Sequence, residues 1–255
     1  MLGIIGCGWM GLRVARALKE DYVVRATVTT AAKVDALSRE GIEGTVVQFP
    51  ENCMEAYDPA WEYAPLADCL LITVPFSSRT PEALLLNRFG NLLHFTGPFH
   101  KQVFLTSSIG IYPRIAAEIE EEGLNDALLD PSILSVERLV KRYYPQVNIL
   151  RLGGLMGDDR ILSKYKITGL AEPVNHVHYK DVCRVIKCMM HEGVTGATYN
   201  VVAPLHPSKE EVVGSQRGLP GPFEAVSAGR VISSEKLVRE LNFVFSYPDP
   251  RFFHL

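Results

Sequence analysis

The sequence has no segment approaching the roughly 20 consecutive apolar residues that a membrane-spanning helix needs. It has no basic run. A net charge of −3 over 255 residues gives no electrostatic case for nucleic acid or for an anionic membrane. The five cysteines, Cys7, Cys53, Cys69, Cys183 and Cys188, form no CxxC pair, so neither a zinc site nor a disulfide framework is expected, and no metal ligand is assigned. An odd, unpatterned set of cysteines reads as reduced, mostly buried thiols of a cytoplasmic protein. The opening Met1-Leu2-Gly3-Ile4-Ile5 is apolar but has no basic start and meets glycines at once, so no secretory leader is expected. There is no internal repeat and no low-complexity tract.

What is present is alternation of strand and helix signals. Ile4-Ile5 leads into a glycine cluster, and a helical pattern follows with Leu12, Ala15 and Leu18 on one face. Residues 22–27 read as a strand, 33–39 as a short helix and 44–48 as a strand. Leu70 to Val74 is a continuous apolar run ended by Pro75, as expected of a strand buried on both faces of a parallel sheet. A helix is predicted over 84–95, a strand over 103–106, a helix over 132–143 and a strand over 147–152, with a further helix from Val182 to Met190. Strands separated by helices of this length imply βαβ units. The fold class is therefore α/β, a Rossmann-type doubly wound parallel sheet. Segments 153–175 and 203–230, richer in glycine, proline and turn residues, are expected to form a small substrate-side lobe of a single 1–255 domain.

Gly6-Cys7-Gly8-Trp9-Met10-Gly11 matches GxGxxG directly after a strand and at the opening of a helix, the context that the motif requires. Gly6 permits the tight turn, Gly8 lets a pyrophosphate approach the backbone, and Gly11 lets helix and strand pack closely. The helix start, with Trp9 and Met10, offers free amides and a partial positive charge. A site for NAD usually places an acid about 20 residues beyond the glycines. Here the second strand runs into Thr29, Thr30 and Lys33, with no acid. Hydroxyls and an ammonium suit a 2′-phosphate, so NADP is the expected cofactor and NAD the alternative. Thr29 and Thr30 equally suit a helix cap. Val74 and Pro75, at the end of the buried run, are expected against the dinucleotide.

Val103 to Tyr112 is a strand ending in Thr106, Ser107 and Ser108 and then an aromatic. With this stretch the chain resembles the extended and atypical branches of the short-chain dehydrogenase/reductase superfamily, the NAD-dependent epimerase/dehydratase-like proteins. Arg151 to Gly157 is similar to that family's strand and glycine turn beside the nicotinamide. Asn175 to Val182 is similar to its N-x-(I/V)-H-x-x-D block, and Gly229 to Phe243 to its carboxyl-terminal motif. The opening G-C-G-W-M-G is closest to a subgroup described as nucleoside-diphosphate-sugar epimerases. The resemblance implies that Ser108 polarises a substrate oxygen, that Thr106 and Ser107 face the cofactor, and that Asn175 and His178 lie near the substrate. It also implies a Tyr-x-x-x-Lys pair. Aligning Glu137 with the family's later glutamate puts Leu129 and Ile133 where that pair belongs, and neither moves a proton. Tyr112, His178 or Lys180 then takes over the proton, Tyr112 being the assigned catalytic candidate, or the protein binds its dinucleotide without turnover. For Asp181 a helix-capping role competes with a contact near the site. Arg114, Arg160 and Lys164 are candidates for a substrate diphosphate, against the ordinary reading of solvated loop charges. Expected partners are a small-molecule substrate and, through the 84–95 and 132–143 helices, a second copy of the chain. A monomer is the alternative.

Overall fold

Four residues, Leu2–Ile5, make the first strand, β1, and every one of them is buried. A strand with no exposed face must lie inside a sheet covered on both sides. The computed structural model describes residues 1–53, 60–223 and 226–255. In chain order the elements are β1, α1 (Trp9–Leu18), β2 (Val24–Val28), α2 (Ala31–Ser38), β3 (Glu43–Val46), β4 (Cys69–Ile72), α3 (Glu82–Thr96), β5 (Gln102–Ser108), β6 (Glu118–Ile119), α4 (Pro131–Tyr143), β7 (Asn148–Leu152), β8 (Gly154–Met156), β9 (His176–His178), α5 (Tyr179–His191), β10 (Thr198–Val201), α6 (Lys209–Gln216), β11 (Val231–Ile232) and α7 (Glu235–Leu241).

Seven strands form one parallel sheet in the order β3-β2-β1-β4-β5-β7-β10. The chain winds outward from β1 in one direction and from β4 in the other, so the switch point lies between these two strands. One face of the sheet carries α1 and α5, with Met10, Val14, Ala15 and Leu18 meeting Val182, Cys183, Ile186 and Met189. The other carries α3 and α4, where Leu85, Phe89 and Leu92 share one buried cluster with Val136, Val140 and Trp61. Spacing of three and four residues puts these apolar side chains on one stripe of each helix. No helix among the described residues is long and apolar enough to cross a membrane.

The expected α/β class and doubly wound sheet are what the structure has. Several boundaries differ for local reasons. The strand predicted from Tyr22 starts at Val24, because the amides of Asp21 and Tyr22 close α1 on the Leu18 carbonyl. The helix predicted from Val182 starts at Tyr179, because His178 caps it, Nδ1 accepting from the Lys180 amide at 3.3 Å. The edge strand β10 has no counterpart among the expected elements. Lys209, Glu210 and Glu211, whose charges suggest only a solvated face, are the first turn of α6. A capping box opens that helix, Ser208 and Glu211 bonding each other's backbone amides.

Two short parallel pairs stand off the main sheet: β8–β9, wholly beyond residue 153, and β6–β11, which joins β11 to the segment after β5. Leu162, Val174, Val212 and Val213 form a small apolar cluster of their own there. Residues 224 and 225 of the segment 203–230 lie outside the described residues. The carboxyl-terminal strap is tied down by Asp181. This fully buried carboxylate accepts from the Ser246 and Tyr247 amides at 2.9 and 2.8 Å and pairs with Arg184 at 2.9 Å. Asp181 stands inside α5, so its role is to anchor this strap and not to cap the helix start. Asp181→Ala leaves two part-buried amides and Arg184 without their acceptor and is expected to lower stability by about 3 kcal/mol. Urea unfolding checks this through a lower midpoint.

Candidate active site

The turn after β1 is built by threonines of the two neighbouring strands. Thr27 Oγ1 accepts the Gly6 amide at 2.8 Å, and Thr73 Oγ1 donates to the Gly6 carbonyl at 2.6 Å. Gly6 has φ +89°, a left-handed conformation that glycine adopts freely, and an added Cβ would meet Val74 Cγ2 at 2.8 Å. At Gly11 a Cβ would meet Thr73 Oγ1 at 2.8 Å and the Gly6 carbonyl at 3.1 Å. At Gly8 it would meet nothing closer than 3.9 Å. The three glycines therefore have different roles. Gly6 makes the turn, Gly11 lets α1 sit against β1 and β4, and Gly8 keeps the backbone bare toward open space. The amides of Trp9, Met10 and Gly11 open α1 with no intrahelical acceptor.

That open space is a cavity of about 850 Å³ at the carboxyl edge of the sheet, over the switch point. Ligands of doubly wound sheets bind at such a crevice. Of the residues assigned to the cofactor from sequence, Gly6, Gly8, Trp9, Met10, Thr29, Lys33, Val74, Pro75, Thr106 and Ser107 line it, as does Ser108. Gly11 lies beneath the wall. Thr30 precedes α2 off the wall, and its side chain makes no capping bond. The Lys33 ammonium stands 3.4 Å from Thr29 Oγ1, so hydroxyl and cation share one end of the cavity. A dinucleotide fits this donor set: a bare backbone at Gly8, free amides at a helix start, and a lysine with a hydroxyl at one end.

The three hydroxyls that end β5 part company. Thr106 Oγ1 donates to the Ile72 carbonyl at 3.2 Å, and Ser107 Oγ donates to Glu137 Oε1 at 2.6 Å. Ser108 Oγ accepts the Gly110 amide at 3.0 Å, which leaves its own hydrogen free toward the cavity. Behind Ser107 lies a buried polar network. Glu137, 3% exposed, takes two bonds from Arg151, at 3.1 and 2.7 Å. Arg151 also donates to the Tyr112 hydroxyl at 2.9 Å, and that hydroxyl donates to Asn200 Oδ1 at 2.7 Å.

Besides Gly11 and Thr30, the three residues assigned with Ser108 to catalysis or substrate stand away from the cavity. Tyr112, expected to be catalytic, is 3% exposed, and its hydroxyl is occupied by Arg151 and Asn200. Burial raises its pKa, opposing the ionised form. Asn175, expected near the substrate, bonds the Arg230 carbonyl and the Ile232 amide through its side-chain amide, at 2.8 and 2.7 Å, and so ties β11 to β9. His178 caps α5 and stacks on Tyr247 with ring centres 3.8 Å apart, and burial pushes its pKa down to about 4. Lys180 donates to the Tyr247 hydroxyl at 3.0 Å, also off the cavity. Leu129 and Ile133, where the resemblance places the Tyr–Lys pair, are buried in an apolar cluster.

Sequence reading missed Thr27, Thr73 and Arg88. Arg88 Nη1 donates to the Pro75 carbonyl at 2.8 Å and pairs with Glu51 while lining the cavity. The two threonines had a legible signal: a hydroxyl residue in or just after a buried strand beside a glycine turn. Arg88 had none, since its helix and the glycine turn are far apart in sequence. The Cys7 thiol, inside the motif, is pushed up to about 12 by burial and offers no thiolate.

No family model matches the chain. It is 27% identical over 270 residues to protein YeeZ of Escherichia coli K12, spanning 98% of this chain and 97% of that one. Its structure superposes on yeast methylglyoxal/isovaleraldehyde reductase complexed with NADPH at a TM-score of 0.75 and 15% identity, over 96% of this chain and 94% of that one. It superposes on the dTDP-glucose 4,6-dehydratase of Bacillus anthracis, solved with NAD, at a TM-score of 0.72 and 14% identity, over 98% and 94% of the two chains. The fold is the one that these reductase and dehydratase structures share. The GxGxxG turn, the β5 hydroxyls and the glycine turn after β7 meet at one crevice, through Gly8, Ser108 and Gly153.

The separate roles of the glycines give opposite outcomes on substitution. Gly8→Val is expected to leave the melting temperature nearly unchanged while filling the cavity and abolishing dinucleotide binding. Gly11→Val forces a branched side chain against Thr73 and the Gly6 carbonyl and is expected to cost about 2 kcal/mol or more of stability. Thermal melting and calorimetric titration with NADPH read both effects.

Proposed function

We propose that the protein is an NADP-dependent oxidoreductase or epimerase-type enzyme acting at a hydroxyl or carbonyl carbon of a small molecule. One observation carries the reading: a single cavity runs from Thr29 and Lys33, across the bare backbone at Gly8, to the free hydroxyl hydrogen of Ser108. A bound nicotinamide supplies or accepts hydride. The chain's own residues supply the rest. Lys33 and Thr29 hold the 2′-phosphate, and the amides that open α1 hold the diphosphate. Ser108 donates a hydrogen bond to the oxygen on which charge develops. Among the described residues lining the cavity there is no histidine, tyrosine or carboxylate. In the direction of reduction the proton therefore reaches that oxygen from water. The NADPH complex of the yeast reductase supports the choice of cofactor, and the B. anthracis dehydratase places sugar nucleotides in the substrate panel beside simple carbonyl compounds. Five unpaired cysteines accord with a cytoplasmic setting.

Ser108→Ala is expected to lower kcat/KM by about a hundredfold while leaving the affinity for NADPH within twofold of the parent (about 0.4 kcal/mol). Oxidation of NADPH at 340 nm against that panel reads the first, and calorimetry reads the second. Unchanged turnover in the variant rejects the serine's role, and tight binding with no turnover on any carbonyl returns the chain to the class of dinucleotide-binding modules. Lys33→Ala is expected to weaken NADPH by about tenfold, or about 1.4 kcal/mol, and to spare NADH. An equal loss for both refutes the 2′-phosphate assignment.

A further inference from the structure

Trp9, the first residue of α1, lines the cavity beside Gly8, and two arginines hold its indole. The Arg13 guanidinium carbon lies 3.6 Å from the ring centre and that of Arg160 lies 4.0 Å from it. Two guanidinium groups this close cannot share one face of an indole, so they clasp it from both sides. Both lie within the field of Asp159, but of the two only Arg13 is bonded to an acid among the described residues. Arg13 is neutralised twice, donating to Asp158 Oδ2 at 3.1 and 2.9 Å and to Asp159 Oδ1 at 3.1 Å. The same two acids have further partners. Asp158 accepts from the Tyr179 hydroxyl at 3.0 Å, and Asp159 from Trp9 Nε1 at 3.1 Å. Arg160 follows both acids in sequence yet makes no ion pair and no side-chain hydrogen bond among the described residues.

The backbone explains how this comes about. Gly157 and Arg160 bond each other's main chain, at 2.9 and 3.0 Å, in a tight turn with Gly157 at φ +115° and Asp158 at φ +52°. The turn sends its two carboxylates outward to Arg13 and returns Arg160 to the cavity wall. A guanidinium stacked on an indole keeps its N–H donors free for an anion and loses little freedom when one binds. The amides that open α1 start from the same residue, Trp9.

We propose that Arg160 is a diphosphate-binding residue, a cation pre-set on Trp9 to grip the linker between the two nucleosides of the dinucleotide. This rests on the dinucleotide reading above and adds to it a side chain that would contact the diphosphate. It also gives two cations distinct roles. Lys33 distinguishes the cofactors by their 2′-position, whereas Arg160 serves both alike.

The decisive experiment is calorimetric titration of the full chain and of Arg160→Gln, which removes the charge and keeps a polar side chain, with NADPH, NADH and adenosine 2′-monophosphate. The last carries the 2′-phosphate but no diphosphate. Arg160→Gln is expected to bind NADPH and NADH each about tenfold more weakly, with adenosine 2′-monophosphate within twofold of the parent. Arg160→Lys, which restores the charge, is expected to recover part of the loss. Melting temperatures close to the parent's establish that the variants fold. If the parent binds both dinucleotides and Arg160→Gln binds them equally well, this inference is overturned and the dinucleotide reading stands. An equal loss on adenosine 2′-monophosphate moves Arg160 to the adenosine end and also overturns it. A parent that binds neither dinucleotide sinks both.

Discussion

Both main-chain groups of Gly6 are held by side chains from different strands, the amide by Thr27 of β2 and the carbonyl by Thr73 just after β4. Most of the site depends on this double tether. β2 and β4 are the strands on either side of β1, so the tether spans the point where the winding of the sheet reverses. A loop ordinarily satisfies its backbone with water. Here the hydroxyls satisfy it from below, and the upper side of the turn is left for a ligand. The close approach of α1 follows: Gly11 has Thr73 Oγ1 and the Gly6 carbonyl within contact range, so even a methyl group would push the helix off the sheet. The direction of the free amides at the start of α1 is thus fixed by two threonines that have no part in chemistry themselves.

The other end of the cavity rests on a different constraint. Glu137 and Arg151 are both nearly excluded from water. Buried charges persist only when paired and fully hydrogen-bonded. Arg151 is satisfied by Glu137, the Tyr112 hydroxyl and the Glu121 carbonyl, and Glu121 in turn accepts the Asn200 amide. Ser107 completes the coordination of Glu137, so its hydrogen is taken before any ligand arrives. The network fixes the end of β5 and thereby aims Ser108. It also explains why Tyr112 serves packing: a phenol bonded on both sides inside the protein has no proton to lend to the cavity.

The sheet, the glycine turn and the cavity wall were legible in the sequence because each rests on local rules. Fully apolar runs mark buried parallel strands, and glycine spacing marks the turn. The β5 hydroxyls were legible as a group but not one by one. Thr106, Ser107 and Ser108 are chemically alike, and only the partners that the fold brings to them, Ile72, Glu137 and Gly110, decide which keeps a free hydrogen. Resemblance alone pointed Asn175 and His178 toward a substrate. The amide of Asn175 is instead matched at both ends by backbone 55 and 57 residues away, which no local pattern reveals. The Ser208–Glu211 capping box, by contrast, is a local pattern that the spacing of serine and glutamate already carries. β10 escaped because Thr198 to Val201 is a four-residue edge strand, too short for its alternation to stand out from the loops around it.

The charges around the cavity limit its chemistry from another side. Lys33, Arg88 and Arg160 stand in its wall, and no carboxylate does among the described lining residues. Nearby acids are paired, Glu51 with the wall residue Arg88 itself and Asp158 and Asp159 with Arg13, which leaves Lys33 and Arg160 as the wall cations with no acid bonded to them among the described residues. A polyanion therefore meets donors and cations without repulsion along the whole wall. The same scarcity of acids and imidazoles bears on Ser108. A serine becomes a nucleophile only when a neighbouring base takes its proton. Among the described residues the one partner of Ser108 is the Gly110 amide, a donor, which draws electron density from the oxygen and makes its hydrogen a stronger donor to a negative atom. The wiring of this residue thus argues against acyl transfer and for the stabilisation of an oxyanion that some other agent creates.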